Sequence, residues 1–469
     1  MSEPTIDISY LDTLPPEWQE DLLPRIQQEL GLSTYKVVVL DDDPTGTQTV
    51  RDIPVLTTWS VAALEEELSG EFPAFFILTN SRSLNEDAAR DLAREIGENL
   101  YRASEKSGVR VVVISRSDST LRGHFPSEVD ASAQALNKDQ LPYLIVPFFL
   151  EGGRYTLNDI HYVKERDSLV PAALTPFAKD AAFGFANSNL KYYIEEKTGG
   201  KIKAEEVISV SLQDIRVGGP DQVADIFRSV PKGAACFINA ASYRDMEVVV
   251  SALIEVENDG YEFLYRTAAS FVRSRIGLDA GDGLLAGDQL VSPSDNGGLF
   301  VIGSYVPKTT SQVSALFDLT DVAAIEVQVD ELLDASRRAS EIERVVSFTN
   351  QTLGSGADAA IYTSRSLVSG SDAASSLEIG RIVSESLVEI VSSITRQPRY
   401  LVAKGGITSS DIATRALGIK RAMVIGQALP GVPAWRCGEE TRYPGMTYIV
   451  FPGNVGEDEA LAQIVKKID

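Results

Sequence analysis

Lys36-Val37-Val38-Val39-Leu40-Asp41-Asp42-Asp43-Pro44-Thr45-Gly46 is the stretch that decides the fold. A β-branched apolar run with no polar alternation reads as a strand buried on both faces, and it ends abruptly in three aspartates and a Pro-Thr-Gly turn. The same rhythm continues outward. Ala74–Leu78, Val109–Ile114 and Tyr143–Val146 read as strands, with helical spacing over Ser60–Leu68 and Glu86–Lys106 between them. Apolar strands alternating with amphipathic helices predict an α/β fold with a mainly parallel sheet.

The alternation weakens over Glu151–Tyr193 and resumes at Cys236–Ala240, with helices over Met246–Asn258 and Ala268–Ile276. A dense run of turn formers then extends from Asp279-Ala280-Gly281-Asp282-Gly283 to Asn296-Gly297-Gly298. Beyond it the strand–helix pattern returns: Leu299–Ile302, Val322–Val329, Ala359–Tyr362, Tyr400–Ala403, Ala422–Ile425 and Thr447–Phe451 as strands, Glu331–Leu353 and Leu377–Ile394 as the strongest helices. At 469 residues the chain exceeds what one core organises, so two domains are expected. The divisions are a helical extension over residues 1–35, starting near Trp18, a first domain over 36–285, a linker over 286–298 and a second domain over 299–469. Each domain is a mainly parallel sheet flanked by helices, with the active site expected in the cleft between them.

Composition narrows the function. The chain is 44% hydrophobic and 23% charged, as soluble globular chains are, and carries a formal net charge of −24. So acidic a surface repels phosphate backbones and anionic headgroups, so neither nucleic acid nor membrane is an expected partner. Two cysteines, Cys236 and Cys437, and two histidines, His124 and His161, leave no disulfide framework or Cys/His metal site to build. The acidic beginning lacks a signal-peptide pattern, and the apolar runs fall well short of the about 20 residues that span a bilayer. The expected compartment is cytoplasmic, and a homo-oligomer is compatible with the sequence.

Polar clusters follow the strands. In the first half they are Asp41-Asp42-Asp43, Thr79-Asn80-Ser81-Arg82, and Arg116-Ser117-Asp118-Ser119-Thr120-Leu121-Arg122-Gly123-His124. Parallel sheets bind ligands beyond the carboxyl ends of their strands. Arg82, Arg116 and Arg122 offer forks for a carboxylate, while Asp43 and Asp118 can accept hydroxyl protons, a combination suited to a polyhydroxylated acid. Asp41 and Asp42 can equally cap the Thr-Gly turn, and His161, outside every cluster, is expected to be structural. In the second half, Gly303-Ser304 (with Lys308, Thr309, Thr310 and Gln312), Lys404-Gly405-Gly406-Ile407-Thr408 and Pro452-Gly453-Asn454-Val455-Gly456 follow strands. Glycines admit an anion to backbone N–H groups, and the expected helix Ile412–Leu417 lies just after one of them; a tight turn before a serine cap would look the same. An acid-recognising domain joined to a phosphate-binding one points to phosphoryl transfer.

These residues also carry a resemblance. Asp41–Gly46 (DDDPTG), Ser117–Gly123 (SDSTLRG), Gly303–Gln312 (GSYVPKTTSQ), Lys404–Asp411 (KGGITSSD) and Phe451–Gly456 (FPGNVG), in that order, resemble the four-carbon acid sugar kinase family. The resemblance implies an ATP-dependent kinase acting on a terminal hydroxyl of a small sugar acid such as threonate or erythronate, with Mg²⁺ as the expected cation and no metal ligands assigned. It implies acid-site residues Asp43, Arg82, Arg116, Ser117, Asp118 and Ser119, to which the chemistry adds Arg122, and ATP-site residues Ser304, Gly405, Gly406, Ile407, Thr408 and Gly453. Asp118 or Asp43 would act on the attacking hydroxyl. The chain departs from the family pattern in its N-terminal extension, the third aspartate, Arg116 in place of lysine, His124 in place of asparagine, and Ile407-Thr408. Thr175-Pro176-Phe177-Ala178-Lys179-Asp180 also resembles the family, with no role for its residues. Two other functions share these features: a non-catalytic acid-sugar sensor and a nicotinamide-dependent hydroxy-acid oxidoreductase. The second lacks a GxGxxG after the first strand.

Overall fold

The run that opened the sequence reading forms the strand Tyr35–Asp41, buried along nearly its whole length. The computed structural model describes residues 3–279, 283–304, 306–365, 373–453 and 455–468. The chain divides into two compact units: unit 1 is Met1–Gly46 with Thr58–Gly281, and unit 2 is Thr47–Thr57 with Asp282–Asp469. Of the sequence-stretch residues quoted above, Ala280 to Asp282, Tyr305 and Asn454 lie outside the described residues.

Unit 1 holds seven parallel strands in the order Ile208–Val210, Ala235–Ile238, Tyr143–Val146, Leu264–Thr267, Arg110–Arg116, Tyr35–Asp41, Ala74–Leu78. From Tyr35–Asp41 the chain steps to one side, to Ala74–Leu78, then returns to the other side at Arg110–Arg116. The order therefore reverses at Tyr35–Asp41, and the diverging connections leave a crevice beyond its carboxyl end. The region Glu151–Tyr193, irregular in sequence, contains the hairpin strands Arg154–Leu157, Ile160–Glu165 and Ser168–Pro171, with Ile6–Asp7 added at one edge. Its first turn, at Asn158 and Asp159, has both φ angles positive (50° and 71°), the geometry of a tight hairpin. Leu121, Phe125, Ile145, Tyr193 and Phe237 pack in the core between this region and the main sheet.

Unit 2 has a parallel centre in the order Ala323–Val327, Ala359–Thr363, Leu299–Ile302, Tyr400–Lys404, Thr447–Phe451, extended antiparallel by Val432–Cys437, Arg421–Leu429 and Ile53–Leu56. Here the order reverses between Leu299–Ile302 and Tyr400–Lys404. Phe300, Val402, Ile449, Phe451 and Leu461 belong to its core. The last strand of the sheet comes from the first half of the sequence. Ile53–Leu56 pairs with Arg421–Leu429, and Trp435 Nε1 donates to Thr47 Oγ1 at 2.9 Å.

Several elements differ from expectation for identifiable reasons. The first α-helix is Leu23–Leu32, placed by Pro24 in its first turn, and does not start near Trp18. Glu331–Leu353 is two helices, Val329–Leu333 and Arg338–Gly354, because Asp334 accepts from Ser336 N (2.9 Å), Ser336 Oγ (2.7 Å) and Arg337 Nε (2.8 Å) and so turns the chain locally. Residues 286–298, expected as a linker, include the 3₁₀ turn Gly287–Leu290, and Ser292 N donates to Arg399 O at 2.8 Å within unit 2. The helix expected at Ile412 starts at Gly406, as Gly406–Asp411 continued by a wider turn Ile412–Ala416.

Candidate functional sites

In unit 1 the aspartates at the reversal point meet the arginines of the neighbouring strand ends. Arg82 is the hub. Its Nη2 lies 3.2 Å from Asp42 and 2.9 Å from Asp43, and its Nη1 lies 3.1 Å from Asp118. Asp118 in turn accepts from Arg122 Nε (2.9 Å) and Nη2 (3.2 Å), and Arg122 also reaches Asp180 at 3.4 Å. Asp43 closes its own turn by accepting from Thr45 N (2.8 Å) and Thr45 Oγ1 (2.6 Å). Charge-assisted bonds this dense fix each carboxylate's direction.

Arg116 and Ser117 are more deeply buried, and they act through aspartates. Arg116 Nη1 pairs with Asp41 at 3.1 Å, and Ser117 Oγ donates to Asp42 Oδ2 at 2.5 Å. Ser119 contributes its carbonyl, which accepts from His161 Nε2 at 2.7 Å. A carbonyl only accepts, so Nε2 carries the proton and Nδ1 faces Thr156 Oγ1 at 3.0 Å. Burial pushes His161 down to about 4, so it is neutral and supports the loop, in the structural role the sequence suggested. His124 Nε2 faces the carbonyls of Ser81 (3.2 Å) and Leu84 (3.0 Å), bracing the turn that carries Arg82.

The electrostatics split the aspartates. Burial pushes Asp118 up, but Arg82 and Arg122 outweigh it and hold the carboxyl well below the usual range. Asp43 is also lowered, burial being outweighed by Arg82 and the Thr45 hydrogen bonds. Asp41 goes the other way: burial lifts it to about 7 against the pull of Arg116, and its Oδ2 has no hydrogen-bond partner among the described residues. A side chain at Gly46 would collide with that carboxylate, which accounts for the glycine in the turn. A cavity of about 260 Å³ also lies in unit 1, lined by Tyr35, Val111, Val113, Phe263 and Tyr265 among others, but Asp43, Arg82 and Asp118 do not line it.

In unit 2 the glycine loops gather at the second reversal point. A Cβ on Gly303 would strike Thr408 Oγ1, and one on Gly405 would lie 3.2 Å from Ser304 Cβ. Gly405 has φ of 114°, a conformation that favours glycine. Thr309 Oγ1 donates to Gly453 O (3.4 Å) and lies 3.2 Å from Ser304 Oγ, so Ser304, Gly405, Thr408 and Gly453 form one cluster. Gly406 opens the following helix, while the Ile407 side chain is 62% exposed and is not packed into the cluster. Two residues to which the sequence reading gave no role hold these loops. Lys404, fully buried, donates to Pro452 O (2.7 Å) and Gly453 O (3.2 Å) with its ammonium 4.1 Å from the Phe451 ring. Arg365 donates to Ser304 O at 2.9 Å. Burial lowers Lys404 to about 7. Its place at a strand's last residue before Gly-Gly was the available signal.

Among the described residues no three His, Cys, Asp or Glu side chains form a group that could hold a metal ion, and no helix is long and apolar enough to cross a membrane. Residues 37–275 match a family described as a sugar-binding N-terminal domain, and residues 299–461 match one described as a nucleotide-binding C-terminal domain. Among solved structures, the chain is similar to a Salmonella typhimurium LT2 protein described as a candidate tRNA synthase, at 16% identity and TM-score 0.67, covering 92% of this chain and 100% of that one. It is also similar to a Haemophilus influenzae protein of the DUF1537 family, at 17% identity and TM-score 0.64, with the same coverage. Both likenesses show the shared fold. No curated protein matches the sequence.

Proposed function

We propose that this chain, which belongs to the four-carbon acid sugar kinase family, transfers the γ-phosphoryl group of ATP to a terminal hydroxyl of a small sugar acid, threonate or erythronate being the type. The observation that carries the reading is that each unit gathers its polar loops at its own point of strand reversal. Unit 1 collects carboxylates and guanidiniums there, and unit 2 collects glycines and hydroxyls.

In this reading Asp43, Arg82, Asp118 and Arg122 meet the acid, while Arg116, Ser117 and Ser119 hold that constellation from beneath. Asp118 and Asp43 accept hydrogen bonds from the acid's hydroxyls. Both are held ionised by their cations, and carboxylates so stabilised are weak bases. Asp118 therefore orients the attacking hydroxyl and takes its proton late, when the forming bond has made it acidic. The hydroxyl oxygen bonds to the γ-phosphorus, the bond to the β–γ bridging oxygen breaks with its electron pair leaving on ADP, and the proton passes through the carboxylate to water. Ser304, Gly405, Gly406, Ile407, Thr408 and Gly453 present backbone and hydroxyl donors to the ATP phosphates, Ile407 through its main chain. ATP would arrive as its Mg²⁺ complex, with the ion held largely by phosphates and water.

ADP release coupled to an indicator enzyme, screened across four- and five-carbon sugar acids with ATP and Mg²⁺, tests this. Acid-dependent release is expected. Binding of an acid without release would favour the sensor reading, and an absorbance change with a nicotinamide cofactor would favour the oxidoreductase.

A further inference from the structure

In unit 1, the arginines that sequence and chemistry put forward for the acid's carboxylate already have carboxylate partners. Arg116 pairs with Asp41, Arg82 with Asp42, Asp43 and Asp118, and Arg122 with Asp118 and Asp180. Five aspartates thus share three guanidiniums. An incoming carboxylate meets a cluster whose positive charge is spent, and without a further cation it would be repelled.

Arg154 is that further cation. It opens the hairpin strand Arg154–Leu157, in the segment that follows the carboxyl end of Tyr143–Val146, so it arrives on the same side of the sheet as the aspartates. Its backbone is fixed: Arg154 N donates to Phe149 O (2.8 Å) and Phe149 N to Arg154 O (3.1 Å), while Gly153 turns the chain with φ of 68°. Its guanidinium carbon lies 5.6 Å from the centroid of the Phe177 ring, and that of Arg122 lies 5.0 Å from the same ring. Among the described residues Arg154 has no carboxylate partner. Its Nη1 donates to the Gly152 carbonyl, and its Nε is buried with no hydrogen-bond partner. A guanidinium with an unfilled donor, over the same aromatic ring as the Arg122 that pairs with Asp118, is arranged to receive a planar anion.

We propose that Arg154 binds the carboxylate of the sugar acid, with Phe177 fixing the plane of its guanidinium, and so sets the enzyme's preference for acids over uncharged polyols. The proposal rests on the sugar-acid reading above and gives Phe177, in the Thr175–Asp180 segment, the role the sequence did not.

The test compares wild type with Arg154→Met and Arg154→Lys, by calorimetric titration of four- and five-carbon sugar acids and by steady-state ADP release, with the matching polyols as uncharged probes. For Arg154→Met, the acid KM and Kd should rise about 30-fold or more, as for loss of one partner of a desolvated charge pair, with the KM for ATP within about two-fold of wild type. The acid-over-polyol preference should collapse in parallel. Arg154→Lys keeps the charge without the fork and should fall between the two, which separates carboxylate recognition from a folding defect. An acid KM and Kd unchanged in Arg154→Met, with wild type active, overturns the Arg154 assignment and leaves the kinase reading standing. Acid binding lost in Arg154→Met from a wild type that binds acid without phosphorylating it supports the assignment and overturns the kinase reading. A wild type that neither binds nor phosphorylates any acid of the panel overturns both.

Discussion

Around Arg82 in unit 1, order is kept by side-chain charges: one guanidinium reaches three aspartates and the next arginine reaches two. Around Gly405 in unit 2, it is kept by the main chain: glycines pressed against Ser304 and Thr408, carbonyls tied by Thr309 and Lys404. The buried cation there, Lys404, pairs with no carboxylate among the described residues and spends its protons on carbonyls. The difference fits two kinds of ligand. A small acid with several hydroxyls is distinguished by the direction of discrete donors and acceptors, which side chains supply. A polyphosphate needs many N–H groups at close range, which a loop without side chains supplies. Substitutions should therefore act through lost charge partners in unit 1 and through filled space or bent backbone in unit 2.

The largest effect should come from breaking the unit 1 network at its most connected carboxylate. Asp118→Asn removes the charge facing both Arg82 and Arg122, and kcat should fall by about 10²–10⁴-fold while the Kd for ATP is unchanged. Stopped-time ADP assays and nucleotide titration check both halves. The melting temperature should also drop, because two guanidiniums lose a partner. Near-normal turnover would pass the orienting role to Asp43.

Next is the unit 2 loop. Gly405→Val forces a branched residue into φ of 114° and toward Ser304. Strain of about 1–3 kcal/mol at such a position should weaken ATP binding by about 10–100-fold, with acid binding untouched. If acid binding weakened and ATP binding did not, the assignment of ligands to units would be reversed.

The smallest effect distinguishes the two regions by pH. Asp41 is raised from 3.8 to about 7, chiefly by burial, so the folded chain keeps a proton the unfolded chain has lost. Its contribution to stability therefore declines as pH rises through that window, and Glu128, lifted by burial from 4.5 to about 7, acts in the same direction. Lys404 is lowered from 10.5 to about 7 by burial, so between those values the unfolded chain holds the extra proton and stability gains as pH rises. Melting curves from about pH 5 to about pH 9 should show Asp41→Asn flattening the lower limb and Lys404→Met flattening the upper one. Identical pH profiles for both variants and wild type would contradict these burial effects.

The same contrast explains what could be read in advance. Asp43, Arg82, Asp118, Arg122, Ser304, Gly405 and Gly453 could be grouped in advance because each lies within a few residues of the end of an apolar strand, and parallel sheets place such ends together. Arg154 and Phe177 were not, since Arg154–Leu157 lacks the continuous apolar run that marks a strand of the same length such as Tyr143–Val146, and a single 3₁₀ turn has no period to read. Ile53–Leu56 was missed for another reason: its partner Arg421–Leu429 lies more than three hundred residues away, and such pairing is not written in local pattern. Lys404 looked like part of a glycine loop; its role as a strut depends on Pro452 and Gly453 crossing above it.

Phosphorus NMR of the reaction mixture tests the central claim most directly. With ATP, Mg²⁺ and a four-carbon sugar acid, a new phosphomonoester resonance should grow as the γ-phosphate signal declines, at equal rates and without free phosphate, and none should form when the acid is left out. Loss of the γ-phosphate signal into inorganic phosphate alone, at a rate indifferent to the acid, would contradict it.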